Sequence, residues 1–182
     1  MSAEAKLIPS SSQTVGPFFG IGLEYLIESA PELDPADTIV IRGRVLDRDG
    51  APVPDAMLEF WSAGKTSANA TSSQGFPGGF RRAATDLDGT FSVVMRRAAA
   101  VALDDERMQA PHMLVLVFAR GLLRHLISRV YFEDDPALDA DPVLLSVPAE
   151  RRRTLIAGRD GENSFRWDVV LQGDDETVFF LW

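Results

Sequence analysis

The stretch PHMLVLVFARG, residues 111–121, decides the fold. Its middle is an uninterrupted apolar run, and a strand that is apolar on both faces is covered on both faces by the rest of the protein. Successive side chains of a strand alternate between its faces, so one face carries His112, Leu114, Leu116, Phe118 and Arg120. The stretch therefore predicts a central, buried strand, and Arg120 at its end is expected to reach a surface or an interface.

Short strand patterns separated by turns lie on both sides of this stretch. The segment TIVIRGRVLD (residues 38–47) alternates apolar and polar residues and runs into the turn signal DRDG. The segment TDLDGTFSVVM (residues 85–95) contains a second Asp-Gly turn that leads into a strand. Four further segments have strand patterns, namely AMLEFWSA (56–63), LLRHLISRVYFE (122–133), SFRWDVVLQG (164–173) and TVFFLW (177–182).

Three segments depart from the strand pattern. KTSANATSSQGFPGGF (residues 65–80) is rich in Gly, Ser and Asn and is predicted to be a long loop. RRAAAVALDDERMQA (residues 96–110) has an Ala-rich part that is compatible with a helix, but a loop is favoured. PAERRRTLIAG (residues 148–158) predicts a short helix, because Pro suits the first helical turn and Gly suits the end.

These patterns predict an all-β protein, namely an antiparallel β-sandwich with an N-terminal arm and one short helix near residues 148–157. The first residues lack clear periodicity, with at most a short turn or helix around residues 21–29. We expect residues 1–37 to form the arm and residues 38–182 to form a single sandwich domain.

Composition limits the classes of function. The 182 residues include no Cys, which excludes disulfides, thiolate metal ligands and cysteine nucleophiles. The formal net charge of −9 opposes binding to nucleic acid phosphates. No apolar run is long enough to span a membrane, and the N-terminal residues lack the apolar core of a signal peptide. A cytoplasmic location is therefore expected.

Most catalytic templates are missing from the sequence. It has no GxSxG, no P-loop and no dinucleotide-binding fingerprint. The acids Asp47 and Asp49, and likewise Asp86 and Asp88, surround Asp-Gly turns, and turn formation explains them better than calcium binding. The basic run at residues 151–153 is predicted to be a solvated or interface charge.

The Tyr and His residues raise the question of a metal site. The chain has just two Tyr and two His, which are Tyr25, Tyr131, His112 and His125. Two phenolates and two imidazoles suit Fe(III), but here they are scattered over the arm and different strands. Position 114, two residues after His112 and on the same strand face, is Leu and not a second His. The residues alone therefore argue against a complete iron site, and they favour packing for Tyr131 and partial exposure for His125.

Several of these segments together resemble the intradiol ring-cleavage dioxygenase family. The resemblance rests on SQTVGPFF (12–19), IRGRVLDRDGAPVPDAMLEFWSA (41–63), GFRRAATDLDGTFSV (79–93), APHMLVLVFARGLLRHLISRVYFED (110–134), RRRTLIA (151–157) and ETVFF (176–180). It extends over residues 8–182, nearly the whole chain. QTVGPFF, APHMLVLVFARG and the VFF terminus are its most specific parts. Some members contain two related subunits, α and β, and the chain resembles the α subunit.

The resemblance implies a division of labour between the subunits. In the family the β subunit holds Fe(III) through two Tyr and a His-x-His pair on a strand. Here the corresponding place reads His112-Met113-Leu114, and no Tyr falls in the regions 62–84 or 95–110, where the ligand tyrosines would lie. His112 thus resembles the remnant of a ligand pair that has lost its partner at Leu114, and this chain is expected to bind no metal.

The resemblance also implies a contribution to the partner's active site. By motif match, Thr14, Gly16 and Pro17 of the arm, together with Arg120, are expected to line the substrate pocket that faces the iron of the β subunit. The implied reaction is the opening of 3,4-dihydroxybenzoate by O2 to 3-carboxy-cis,cis-muconate. Arg120 would supply a local cation for the anionic substrate. Two alternatives stay open, a non-catalytic β-sandwich binding module and a self-sufficient catechol dioxygenase with unusual ligands.

Overall fold

The computed structural model describes residues 10–16, 19, 22, 37–62 and 79–181, and strands dominate these ranges. Eleven strands lie in them. The strands are β1 (Thr38–Leu46), β2 (Met57–Ser62), β3 (Phe80–Ala84), β4 (Thr90–Arg96), β5 (Val101–Ala102), β6 (Met108–Gln109), β7 (His112–Phe118), β8 (Leu126–Phe132), β9 (Ile156–Arg159), β10 (Ser164–Arg166) and β11 (Val169–Val170).

Nine of the strands form one mixed sheet. Its order is β11-β1-β10-β9-β8-β7-β2-β3, with β4 paired to β1 outside that path, while β5 and β6 form a separate hairpin. Strand β1 runs parallel to β10 and β11, and β8 runs parallel to β9. The prediction of a β-rich fold is confirmed, but an antiparallel sandwich is not, because three of the strand pairs are parallel.

The parallel pairs have a physical origin in the connections. Adjacent parallel strands need a crossover, whereas a short turn delivers an antiparallel neighbour. Residues 133–155 separate β8 from β9 and contain three helical segments, so the chain returns and β9 starts at the same end as β8. Sequence patterns identify strands, but the direction of each strand depends on these longer connections.

One hydrophobic cluster joins strands β1 and β4 to strands β2, β7 and β8. It brings side chains of β1 and β4, such as Ile41 and Phe91, together with those of β2, β7 and β8, such as Phe60, Val115 and Val130. All five of these side chains are buried. This core holds strand β7 in a fixed position between β2 and β8.

Strand β7 is central, as its apolar sequence predicts. Met113, Val115 and Val117 are fully buried on one face, while Leu114 and Leu116 on the other face are only partly buried. The two faces therefore differ, although both are apolar in sequence. In the chain by itself, the face that begins with His112 is the less completely covered one.

The helical segments are short. An α-helix, α1 (Pro142–Ser146), lies between two 3₁₀ segments, Leu138–Ala140 and Ala149–Leu155. The helix expected near residues 148–157 is present as the second 3₁₀ segment, and α1 is an additional element that the sequence pattern did not reveal. No helix among the described residues is both long and apolar enough to cross a membrane.

Other local differences concern short or terminal segments. Residues 96–110 were expected to be a loop but contain the β5–β6 hairpin, and β3 lies in a segment to which no strand was assigned. Residues 177–181 form no strand, so that prediction is wrong for this part. The terminal segment instead makes isolated hydrogen bonds, for example from the amide of Phe180 to the carbonyl of Ile127 (2.7 Å).

Candidate functional site

Strand β7 begins with a buried histidine. The side chain of His112 is only 7% exposed, and its Nδ1 lies 2.8 Å from the carbonyl oxygen of Ala110. A carbonyl oxygen can only accept, so Nδ1 carries the proton and donates to it. The imidazole also packs against Tyr131, its partner on β8, with ring centroids 5.4 Å apart. His112 is thus a packed and hydrogen-bonded residue.

Asp141 organises the polar groups near this histidine. It is fully buried, and its carboxylate accepts hydrogen bonds from the hydroxyl of Tyr131 (3.1 Å) and from the amide of Ala110 (2.7 Å). It also caps helix α1 by accepting from the amides of Val143 and Leu144, at 2.9 and 2.7 Å. One carboxylate therefore fixes the start of α1, the end of β8 and the backbone two residues before β7.

The Tyr131 hydroxyl has both a donor and an acceptor partner within this cluster. It donates to Asp141 and accepts from Nη1 of Arg129 (3.4 Å), which also donates to Oε1 of Gln109 (2.6 Å). Burial raises the pKa of the Tyr131 hydroxyl above its ordinary value. The protonated phenol is therefore the stable form, and phenolate is the form that a ferric ion would need.

The described residues do not fit a ferric ion. They contain no group of three or more His, Asp or Glu side chains that could hold a metal. Leu114, the position of the expected second ligand, has no lone pair to donate, and the nearby phenol is held by Asp141. At this end of β7 the residues build a hydrogen-bonded core, so no metal chemistry is assigned to it.

The buried His112 predicts a dependence of stability on pH. Burial, assisted by the positive charge of Arg129, lowers the pKa of His112 below 6.5, although the bond to Ala110 and the charge of Asp141 act in the opposite direction. The unfolded chain then takes up the proton first. The stabilising contribution of neutral His112 is complete above pH 6.5 and is lost as the pH falls.

We therefore expect the free energy of unfolding to decrease between pH 7 and pH 5, with a slope from this residue of at most about 1.4 kcal/mol per pH unit. Urea unfolding of the wild type and of His112→Gln over this range measures the effect, and the variant should show a shallower slope. His125→Gln, at an exposed histidine, is the matched control. Equal slopes for wild type and His112→Gln would contradict the prediction.

The other end of β7 contacts described residues near the start of the sequence, in the segment predicted to be an arm. The hydroxyl of Thr14 accepts a hydrogen bond from the amide of Gly121 (2.8 Å) and donates to the carbonyl of Ala119 (3.4 Å). Phe19 of the arm packs on Phe118 with ring centroids 5.0 Å apart. Gly121 has φ +90°, a conformation that favours glycine, so the turn after β7 depends on it.

Arg120 lies between the two backbone groups that Thr14 contacts. Its side chain is 59% exposed and extends toward Asp55, with Nη2 3.3 Å from Oδ2 of a carboxylate that is itself 58% exposed. An ion pair between exposed groups contributes little to stability. The guanidinium is thus oriented but not sequestered, and it is available to another anion.

A small cavity of about 160 Å³ lies beside this junction. The arm contributes Gln13 and Val15 to its lining. Strand β7 and the turn after it contribute the remaining lining residues, which are Phe118, Ala119, Leu122, Leu123, Arg124 and His125. Thr14 and Arg120 are not among the lining residues, so the cavity is a neighbour of the arginine and not its binding pocket.

The structure brings together some of the residues that the sequence identified and separates others. Thr14 contacts the backbone on both sides of Arg120 at one end of β7, whereas His112 begins the strand, so the length of β7, roughly 20 Å at about 3.3 Å per residue, separates the two places. Gly16 accepts a hydrogen bond from the amide of Phe19 (3.0 Å), but a Cβ at Gly16 would meet nothing within 4 Å. A need for close backbone approach at Gly16 is thus not visible in this chain.

Two predicted residues, Pro17 and Tyr25, lie outside the described residues. The remaining histidine, His125, is exposed just before β8, and its ring packs on Phe118 at 5.4 Å. The structural role of Asp141 was not recognised from sequence. Its signal was present, because an Asp followed by Pro and an apolar run is a typical helix start.

The other charged motifs have structural roles. Asp47 accepts from the amide of Ala51 (2.9 Å), and Asp86 accepts from the amide of Thr90 (2.8 Å), as turn-forming aspartates do. Each arginine of the run at 151–153 has a partner within the chain. Arg151 and Arg152 bond to backbone carbonyls, whereas the ion pair of 2.6 Å from Arg153 to Asp175 joins two exposed side chains, as expected for a solvated charge.

Comparison with known proteins agrees with the architecture. The dioxygenase family model, Dioxygenase_C, matches residues 24–173. Among solved structures, catechol 1,2-dioxygenase from Pseudomonas arvilla C-1 superposes with a TM-score of 0.59 at 20% identity, over 80% of this chain and 55% of that chain. A likeness at this identity shows the fold.

Relatives found by sequence similarity define the class of protein more narrowly. The protocatechuate 3,4-dioxygenase alpha chain of Burkholderia cepacia is 42% identical over 93% of this chain and 95% of its own length. The alpha chain of Pseudomonas putida is 35% identical over 96% of this chain and 98% of its own length. A beta chain from Burkholderia cepacia is 26% identical over 78% of this chain and 67% of its length. This chain therefore belongs to the dioxygenase family, in the branch of the protocatechuate 3,4-dioxygenase α chains.

Proposed function

We propose that this chain is the α subunit of an intradiol dioxygenase that opens protocatechuate (3,4-dihydroxybenzoate) with O2 to give 3-carboxy-cis,cis-muconate. In this proposal a partner β subunit holds Fe(III), and the present chain holds no metal. The kinship supports it, because two relatives that match nearly the full length are alpha chains of protocatechuate 3,4-dioxygenase.

The observation that carries the proposal is the contrast between the two ends of β7. At one end, His112 and Tyr131 are buried and hydrogen-bonded in a way that does not fit iron. At the other end, Arg120 is oriented and more than half exposed. Arg120 lies at the opposite end of β7 from His112, so its guanidinium cannot contact a substrate bound near His112. It is suited to an active site that another chain completes.

A relative of a second type supports association with a partner. The beta chain relative shows that a second, related sequence exists within this enzyme class. We propose αβ pairs in a larger oligomer, with the aromatic substrate and O2 as small-molecule partners.

Within this chain we propose a division of roles. Residues 1–37 act as an arm and residues 38–182 as one domain, and the arm residues Thr14, Gly16 and Pro17 line the substrate pocket together with Arg120. Arg120 binds the carboxylate of the substrate through charge-assisted hydrogen bonds. The bound iron would supply the redox chemistry, while this chain would orient the substrate. A cytoplasmic location stays a prediction.

Co-expression tests the proposal. This chain is produced alone and together with the dioxygenase β chain of the same organism, and each preparation is assayed for association and for loss of protocatechuate. We expect a stable complex with ring-cleaving activity from the pair and no activity from the single chain. A chain that stays monomeric beside the β chain would instead support a non-catalytic binding module. Turnover by the single chain would refute the division of labour.

A further inference from the structure

Thr14 holds the backbone on both sides of Arg120. Its hydroxyl accepts from the amide of Gly121 at 2.8 Å and donates to the carbonyl of Ala119 at 3.4 Å. A hydroxyl can donate and accept at the same time, so it can bridge two backbone groups of opposite character. The conformation of residue 120 is thereby tied to the arm.

A second threonine holds the carboxylate opposite Arg120 in a similar way. The hydroxyl of Thr85 accepts from the amide of Ala56 at 2.8 Å and donates to the carbonyl of Val53 at 2.8 Å. These two backbone groups lie on either side of Asp55, and Thr85 is buried. Asp55 has φ +60°, a conformation that Asp tolerates better than most residues other than Gly.

The geometry of the Arg120–Asp55 ion pair allows another carboxylate to replace Asp55. The pair consists of one contact of 3.3 Å between groups that are each more than half exposed. A carboxylate that binds both ends of the guanidinium makes two charge-assisted hydrogen bonds and is a better ligand for it. Two fixed loops thus present a weakly paired cation, and an incoming carboxylate can replace the weak partner.

We infer that Asp55 is a specificity-determining residue that occupies Arg120 until the carboxylate of the substrate displaces it, and that Thr14 is the positioning residue that fixes Arg120 for this exchange. This inference rests on the proposed function. Its physical content is competition, because the carboxylates of Asp55 and of the substrate cannot both pair closely with one guanidinium without repelling each other. Asp55 therefore lowers the apparent affinity of Arg120 for other anions, so that anions that bind Arg120 weakly do not displace it.

The αβ complex with Asp55→Asn tests the competition. The change keeps the shape of the side chain and removes its charge, so KM for 3,4-dihydroxybenzoate should fall about two- to fivefold, as expected for the loss of an exposed ion pair. KM for catechol, which has no carboxylate, should not change. Asp49→Asn, at an exposed acid in the same connection between β1 and β2, is the matched control for net charge. An unchanged KM for 3,4-dihydroxybenzoate, or equal shifts for both substrates, would overturn the competition.

The positioning role has its own readout in the isolated chain. Thr14→Val removes the hydroxyl at constant shape, so hydrogen exchange at the Gly121 amide should accelerate, and Thr14→Ser should restore its protection. In the complex, Thr14→Val should raise KM for 3,4-dihydroxybenzoate more than KM for catechol. Unchanged exchange at Gly121 would overturn the role of Thr14. A wild-type pair that does not assemble would overturn the proposed function itself, which separates the two failures.

Discussion

Replacing Arg120 with Ala is expected to raise KM for 3,4-dihydroxybenzoate by at least about tenfold in the αβ complex, with little change in KM for catechol. A hydrogen bond to a charged group contributes about 1.5 to 3 kcal/mol, which corresponds to a factor of roughly 10 to 150 in affinity. The difference arises because only the first substrate has a carboxylate for the guanidinium to bind. Steady-state kinetics with both substrates measure it.

The neighbouring turn supplies a matched control for this variant. Arg124 is also exposed and lies four residues later, beside the cavity and not at the contact with Asp55. Arg124→Ala removes the same charge, so it corrects for the general electrostatic field, and it should leave the ratio of the two KM values near that of the wild type. If Arg120→Ala raised both KM values equally, the arginine would not contact the carboxylate.

Asp141→Ala is expected to lower the free energy of unfolding by about 3 to 5 kcal/mol, because four donors lose their acceptor at once and part of that cost is recovered by relaxation. The variant leaves the amides of Ala110, Val143 and Leu144 and the hydroxyl of Tyr131 without their acceptor. Each unsatisfied buried donor costs about 1 to 3 kcal/mol before relaxation. Urea unfolding of the purified chain, followed by tryptophan fluorescence, measures the loss.

Two further variants test whether the stability loss of Asp141→Ala comes from its lost hydrogen bonds. Asp139→Ala removes an exposed acid two residues earlier and should change the stability by less than about 0.5 kcal/mol. Asp141→Asn keeps one acceptor oxygen and should lose less stability than Asp141→Ala. If Asp141→Ala were as stable as Asp139→Ala, the proposed hub of hydrogen bonds would not exist in solution.

Local sequence patterns predicted much of the strand content. The apolar run around residues 111–121 gives strand β7, and the Asp-Gly turn before Thr90 gives strand β4. Strand direction was not predictable, because the parallel pairing of β8 with β9 depends on a connection of more than twenty residues. The terminal segment at residues 177–181 was apolar enough for a strand, but its backbone bonds go to several different neighbours instead of one ladder.

The candidate site was predictable only in part. The sequence raised the loss of a metal ligand at Leu114, because strand periodicity places it on the same face as His112, and this loss stays a prediction. The pairing of Arg120 with Asp55 joins residues 65 positions apart and leaves no local pattern in the sequence. The same holds for the contacts of Thr14 with the turn after β7. The role of the arm residues therefore came from family resemblance, and the geometry adds which groups they contact.

The iron content of this chain, purified alone and purified as a pair with its β partner, tests most directly whether the β subunit holds the metal. Loading both preparations with iron under identical conditions, then removing free metal and measuring iron per protein, gives the answer. We expect essentially no iron in the single chain and stoichiometric iron in the pair. Stoichiometric iron in the single chain, with the visible absorption of tyrosinate bound to ferric iron, would contradict this expectation.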